Sequence, residues 1–110
     1  MSCRTVILIS GSGSNLQAFI DTLHPDQANI VAVISNRADA YGLERAAQAG
    51  IPTAVLNHRD FADRASYDQA LAQLVDSYQP ELVILAGFMR ILTSEFVSRY
   101  PGRLLNIHPS

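Results

Sequence analysis

An α/β fold, a parallel sheet with helices on both faces, is what this chain predicts. Three observations predict it. Short, nearly unbroken apolar runs recur along the sequence, as in strands covered on both sides. Stretches with helical spacing of apolar residues alternate with them. Gly or Pro stands between the two kinds of segment, and no internal repeat or linker interrupts the alternation.

The elements follow in order. Thr5–Ile9 reads as a buried strand, and Gly11-Ser12-Gly13-Ser14-Asn15 as a turn. Leu16, Phe19, Ile20 and Leu23 then mark one helix face, which His24-Pro25 stops. Ile30–Ile34 is the second strand. Asp39 is placed to cap a helix with Leu43, Ala46 and Ala47 on its packed side and Gly50 as its stop. Pro52 opens a third strand over Thr53–Leu56. Ser66 and Gln69 have capping-box spacing, ahead of Tyr67, Ala70, Leu71, Leu74 and Tyr78 on an apolar side. Pro80 precedes a strand over Leu82–Ala86. A short helix is expected over Ser94–Tyr100 and a fifth strand, central in the sheet, over Arg103–His108.

Composition bounds the function. The 110 residues are 48% hydrophobic and 16% charged, which fits one globular domain. Such a chain buries roughly 65% of its unfolded surface. A net charge of −2 offers no basic surface, so no nucleic-acid partner is expected. The single cysteine, Cys3, fits a reducing cytosol and therefore a cytoplasmic protein. No apolar run reaches the ~20 residues of a membrane span, so no membrane partner is expected either. The three histidines lack metal-ligand spacing, and no metal is expected. His24 and His58 read as surface residues.

Sheets of this kind bind ligands beyond the carboxyl ends of their strands. Four segments there carry polar or unusual chemistry. In Ser10–Asn15, glycines allow close backbone approach, and the next helix presents free N–H groups. With the hydroxyls of Ser12 and Ser14 as further donors, this segment suits a phosphate, the plainer reading being a tight turn with a serine cap. Leu16 replaces the third glycine of a dinucleotide loop, and Ser35-Asn36-Arg37 supplies no acid for a ribose. NAD is disfavoured, and only Arg37 leaves NADP open. No Gly-Lys-Ser/Thr follows, which excludes a triphosphate cradle.

Gly87-Phe88-Met89-Arg90-Ile91-Leu92 is too apolar for an ordinary loop. It suits a flat heterocycle with amide-like edges, or simply packs over the sheet with Arg90 in solvent. Arg59 and Arg64 could meet a carboxylate, although exposed arginines are common. Asn106 and His108 stand two apart in a strand, on one face, roughly 6–7 Å from each other. They read either as a capping Asn and a structural His or as an oxyanion donor and a proton carrier. No nucleophile elbow accompanies them, so direct acyl transfer through a tetrahedral adduct is the chemistry they suit.

Four motifs now stand in order: Ile9-Ser10-Gly11-Ser12-Gly13-Ser14-Asn15-Leu16-Gln17, Ser35-Asn36-Arg37-Ala38-Asp39-Ala40-Tyr41-Gly42-Leu43, Ala86–Leu92 and Leu105–Ser110. Together they resemble the phosphoribosylglycinamide formyltransferases of purine synthesis, over essentially the whole chain. The resemblance implies a Rossmann-like, mononucleotide-binding subdomain. It implies formyl transfer from 10-formyltetrahydrofolate, as co-substrate, to the amine of glycinamide ribonucleotide. Gly13, Ser14 and Asn15 would hold the ribonucleotide phosphate. Arg64, Met89, Arg90, Ile91, Leu92 and Asn106 would hold the folate, with Asn106 also stabilising the oxyanion. His108 would be the general acid.

Family members run about twice this length. Residues 1–110 are accordingly expected to be the phosphate-binding, N-terminal half, needing a C-terminal half that carries the Asp orienting His108. A homodimer through the uncovered apolar surface is expected as well. Two other readings remain open: a non-catalytic nucleotide- or phosphate-binding module of the same fold, and a formyltransferase acting on an aminoacyl-tRNA.

Overall fold

The structure is a computed structural model that describes residues 3–24, 26–90 and 92–107. Among the described residues five strands form one parallel sheet: β1 (Cys3–Ile9), β2 (Ala28–Ser35), β3 (Thr53–Val55), β4 (Leu82–Ala86) and β5 (Leu104–Ile107). Four α-helices connect them: α1 (Ser14–Thr22), α2 (Gly42–Gln48), α3 (Arg64–Ser77) and α4 (Ser94–Ser98). The expected α/β class, with a parallel Rossmann-like sheet, is what the chain adopts.

The strand order is β3-β2-β1-β4-β5. The chain therefore builds outward from β1 on one side, then returns to lay β4 and β5 on the other. The crevice between the ends of β1 and β4 is the point where the direction reverses, and open α/β sheets place their ligands there. Alternation along β1 divides the core between the faces. Val6 and Leu8 pack with Tyr67, Leu71, Val75 and Phe96 of α3 and α4. Ile7 and Ile9 pack with Leu16 and Ala46 of α1 and α2. All four β1 side chains are fully buried. Burying each adds about 1.5–3 kcal/mol of apolar stabilisation, which anchors the end of β1 rigidly.

Several elements differ from their sequence-based expectation. Asp39 does not cap α2, because its carboxylate is taken by Arg37, with Nε–Oδ1 at 3.0 Å and Nη2–Oδ2 at 2.9 Å. Tyr41 occupies the cap position, and Ala47 is exposed while Gly42 faces inward. The capping box at Ser66 is displaced by one turn. Asp63 is the cap and accepts from Ser66 N–H at 2.7 Å, so Arg64 opens the helix instead of lying in a loop. The third strand stops at Val55, α4 stops at Ser98, and β5 begins at Leu104. Among the described residues β5 lies at the sheet edge, paired only with β4, and is not central. His24 is half-buried, and its Nδ1 accepts the Ile30 N–H at 3.1 Å. It closes the α1–β2 turn instead of facing solvent.

Candidate functional site

The loop after β1 is shaped by glycine. Gly13 has φ +76°, a left-handed conformation in which other residues are strained. It is the N-cap of α1 and supplies no side-chain acceptor, and the helix ladder starts with Gln17 N–H donating to Gly13 O at 2.8 Å. The amide groups ahead of that bond point out of the helix end. Ser14 is exposed and Asn15 half-buried at that end.

Gly42 at the start of α2 explains why the loop is tight. A Cβ on Gly13 would lie 2.6 Å from Gly42 Cα, and one on Gly42 would lie 2.5 Å from Ile9 Cδ1. Gly42 N–H donates to Gly11 O at 3.1 Å. Arg45, one turn further along α2, donates from Nε to Ser12 O at 2.7 Å. The loop is thus gripped through backbone groups, with a guanidinium beside it that adds to its attraction for an anion.

The loop after β4 is held differently. Gly87 N–H donates to Ile107 O at 3.2 Å, and Met89 N–H donates to Ser10 Oγ at 2.7 Å. The Arg90 guanidinium carbon stands 4.4 Å from the centroid of the Tyr67 ring. Thr93 N–H donates to Asp68 Oδ2 at 2.6 Å. Phe88 and Leu92 tuck against the core under the α3 face, while Met89 is 74% exposed. Arg90 is therefore half-buried on an aromatic face, not free in solvent. Tyr67 is fully buried, and its hydroxyl donates to Leu56 O at 2.7 Å. Burial pushes this phenol up to about 12, with the neighbouring Arg90 charge pulling the other way.

A cavity of about 270 Å³ opens where the two loops meet. Residues 10–15 form one wall, Ala86, Gly87 and Met89 the other, and Arg37 stands at the rim. Arg64 is exposed at the first position of α3, three residues before Tyr67. Asn106 is exposed on β5, level with Leu85 of β4. Arg59 lies in the 3-10 turn His58–Asp60, exposed, where a separate hollow joins it to Arg37. Ile91 and His108 lie outside the described residues. Among the described residues no group of three or more His, Cys, Asp or Glu side chains could hold a metal ion.

Sequence reasoning missed four supporting residues. Ser10 and Asn36 are buried and bonded to each other, with Ser10 Oγ donating to Asn36 Oδ1 at 2.6 Å. A hydroxyl directly after the apolar run of β1 was the available signal. Asp68 is 3% exposed. Asp68, Leu71, Ala72 and Val75 fall at i, i+3, i+4 and i+7, so the helical stripe itself marks this carboxylate as buried. Gly42 was visible only as a glycine before a helix.

Residues 3–110 match the family model described as formyl transferase. The chain belongs to the formyl transferase family. It is 57% identical over 107 residues to the phosphoribosylglycinamide formyltransferase of Escherichia coli (strain K12), covering 96% of this chain and 50% of that relative. It is 50% identical over 109 residues to the human trifunctional purine biosynthetic protein adenosine-3, covering 97% of this chain and 11% of that protein. The solved phosphoribosylglycinamide formyltransferase of Coxiella burnetii superposes with a TM-score of 0.95 at 51% identity, over all of this chain and 53% of that one. The chain thus spans about half the length of the first-named relative and a small part of the trifunctional one.

Proposed function

We propose that the chain is the nucleotide-binding half of a phosphoribosylglycinamide formyltransferase. The observation that carries this is a cavity shared by an anion-suited glycine loop and an apolar loop, at the point where strand order reverses. Gly13, Ser14 and Asn15 hold the ribonucleotide phosphate through the open end of α1. Met89 carries the folate on the other wall, Arg90, Ile91 and Leu92 continue the folate-binding stretch after it, and Arg64 meets a folate carboxylate. Asn106 contributes an amide donor from the neighbouring strand.

In this reading the amine of glycinamide ribonucleotide attacks the formyl carbon of 10-formyltetrahydrofolate. A carbon–nitrogen bond forms, and the carbonyl electrons move to an oxyanion held by Asn106. Collapse of the adduct breaks the bond to the folate nitrogen. The attacking nitrogen gives up one proton to solvent, His108, the general acid, delivers the proton that the folate nitrogen needs, and tetrahydrofolate leaves. The exposed β5 edge, with Leu105 49% exposed, is where a C-terminal half or a second copy would add cover. The single Cys3 fits work in the cytoplasm.

The test is formyl transfer by this chain mixed with a C-terminal half taken from the longer relatives. Activity from the mixture, abolished by His108→Ala, is the expected result. A soluble, folded mixture without activity overturns the reading. Arg37 at the cavity rim favours one rival, a non-catalytic module binding NADP, although Asp39 already pairs that guanidinium. Calorimetry showing tight NADP binding and no ribonucleotide binding would select the rival.

A further inference from the structure

Ser10 occupies a position the proposed reaction does not use. It is the first residue beyond β1, the central strand, and is 4% exposed. Its hydroxyl has two short partners from two other strand ends. It donates to Asn36 Oδ1, just past β2, at 2.6 Å, and accepts from Met89 N–H, past β4, at 2.7 Å. A hydroxyl has one proton to give, so the donation to Asn36 leaves its lone pairs directed at Met89. The same residue begins the glycine loop and lines the cavity together with Met89. Both loops therefore share one buried atom, and Gly11, the next residue along the chain, is fixed to α2 through Gly42 N–H.

We infer that Ser10 is a positioning residue that couples occupancy of the glycine loop to the order of the loop carrying Met89. This rests on the ribonucleotide reading of the site. An anion that draws the amides of residues 13–15 toward it pins the segment starting at Ser10. The Met89 N–H then loses freedom to part from its acceptor. The coupling needs no movement of either loop, because two sites that share an ordered element favour each other through that order alone. It is reciprocal: a ligand that fixes Met89 must tighten binding at the glycine loop by the same factor.

The test is amide hydrogen exchange on the whole chain, with and without saturating glycinamide ribonucleotide. In the parent, the ligand slows exchange at residues 13–15 and also at Met89. In Ser10→Ala, Met89 exchanges about tenfold faster without ligand, the loss of one ordinary hydrogen bond. Ligand still protects residues 13–15 in that variant but no longer changes Met89. Asn36→Ala guards against a folding defect in the first variant. It leaves the acceptor for Met89 in place with a freer hydroxyl, and the ligand effect at Met89 shrinks without vanishing. The inference is overturned if Met89 in Ser10→Ala exchanges like the parent. It is equally overturned if Met89 in the parent ignores ligand that protects residues 13–15. No protection at residues 13–15 in the parent instead overturns the ribonucleotide reading, and the coupling with it.

Discussion

The loop after β1 and the loop after β4 flank one crevice, but they are built from opposite materials. The first is positioned by what is missing: Gly13 and Gly42 meet where no Cβ fits, and backbone amides and carbonyls make the contacts. The second is positioned by what is present: Ser10, Tyr67 and Asp68 each reach from a neighbouring element to hold one point of it. The difference suits the ligands proposed for each. A phosphate needs close approach of several N–H groups, which side chains would obstruct. A flat heterocycle needs walls and a few fixed polar groups, which side chains supply. The glycine loop should therefore fail when atoms are added, and the apolar loop when atoms are removed.

Adding one methyl at Gly13 should give the largest effect. The left-handed backbone costs alanine about 1–2 kcal/mol. The clash with Gly42 Cα at 2.6 Å adds an overpacking term of roughly 1–3 kcal/mol. Gly13→Ala is expected to lower stability in urea melts by about 2–5 kcal/mol. It should also remove ribonucleotide binding. Gly50→Ala is the control, since Gly50 has φ +74° but open space around its Cβ. Only the backbone term remains, so about 1–2 kcal/mol is expected. Equal losses at the two sites would show that crowding at Gly42 does not shape the loop.

Removing atoms should act on the other side. Asp68→Ala leaves Thr93 N–H without its acceptor, a cost of about 1–3 kcal/mol for a buried donor. Exchange at Thr93 should quicken, while Met89, held by Ser10, and ribonucleotide affinity each change by no more than a factor of about two. Asp68→Asn keeps an acceptor and should recover most of the loss. A smaller effect is expected from Tyr67→Phe, which gives up the hydroxyl's bond to Leu56 O but keeps a ring under Arg90. About 0.5–1.5 kcal/mol is the ordinary range for such a bond. The parent carries a further signature at Tyr67. Its phenol is raised from 10.0 to about 12 in the fold. That contribution is complete below pH 10, where the unfolded phenol keeps its proton, and is lost as pH rises toward 12. Tyr67→Phe should reduce this alkaline loss and leave the part due to Tyr100, which burial likewise raises to about 12.

The same division decides how much could be read in advance. Apolar runs and glycine stops located all five strands and four helices, because burial and backbone strain act through local residue type. The glycine loop was legible for that reason: its chemistry is in its backbone. Asp39 was not, since an acid two residues from Arg37 can pair as easily as cap, and the ion pair prevails. Ser66 has capping-box spacing to Gln69, but Asp63, three residues earlier, offers the same chemistry one turn sooner and takes the cap. Asp68 lies on the helical stripe, yet its role is not legible there, because a buried carboxylate needs a partner that sequence distance hides. Thr93 is that partner, 25 residues away. Ser10 was read only as part of its loop for the same reason, its partners lying 26 and 79 residues along the chain.

The smallest effect expected is at Asp63, and it separates the two loops by pH. Its carboxylate caps α3, accepting the Ser66 N–H, and these hydrogen bonds hold it below the ordinary value of 3.8. A depressed carboxylate stabilises the fold above its unfolded value, and that stabilisation is lost as pH falls through the lower, folded one. The window therefore opens just below pH 4. Asp63 is fully exposed, so solvent screens its charge and the effect is slight. Asn caps helices nearly as well as Asp but does not titrate. Asp63→Asn should give a flatter stability profile below pH 4, the remaining slope belonging to the other carboxylates. α3 carries Tyr67 and Asp68, so the acid effect should reach the apolar loop and leave Gly13 alone. Exchange in parent and variant between pH 3 and 5 would show this as faster opening at Thr93 in the parent only. Equal acid sensitivity at Thr93 in both proteins would remove Asp63 from the support of that loop. It would leave Ser10, Tyr67 and Asp68 as the groups that hold it.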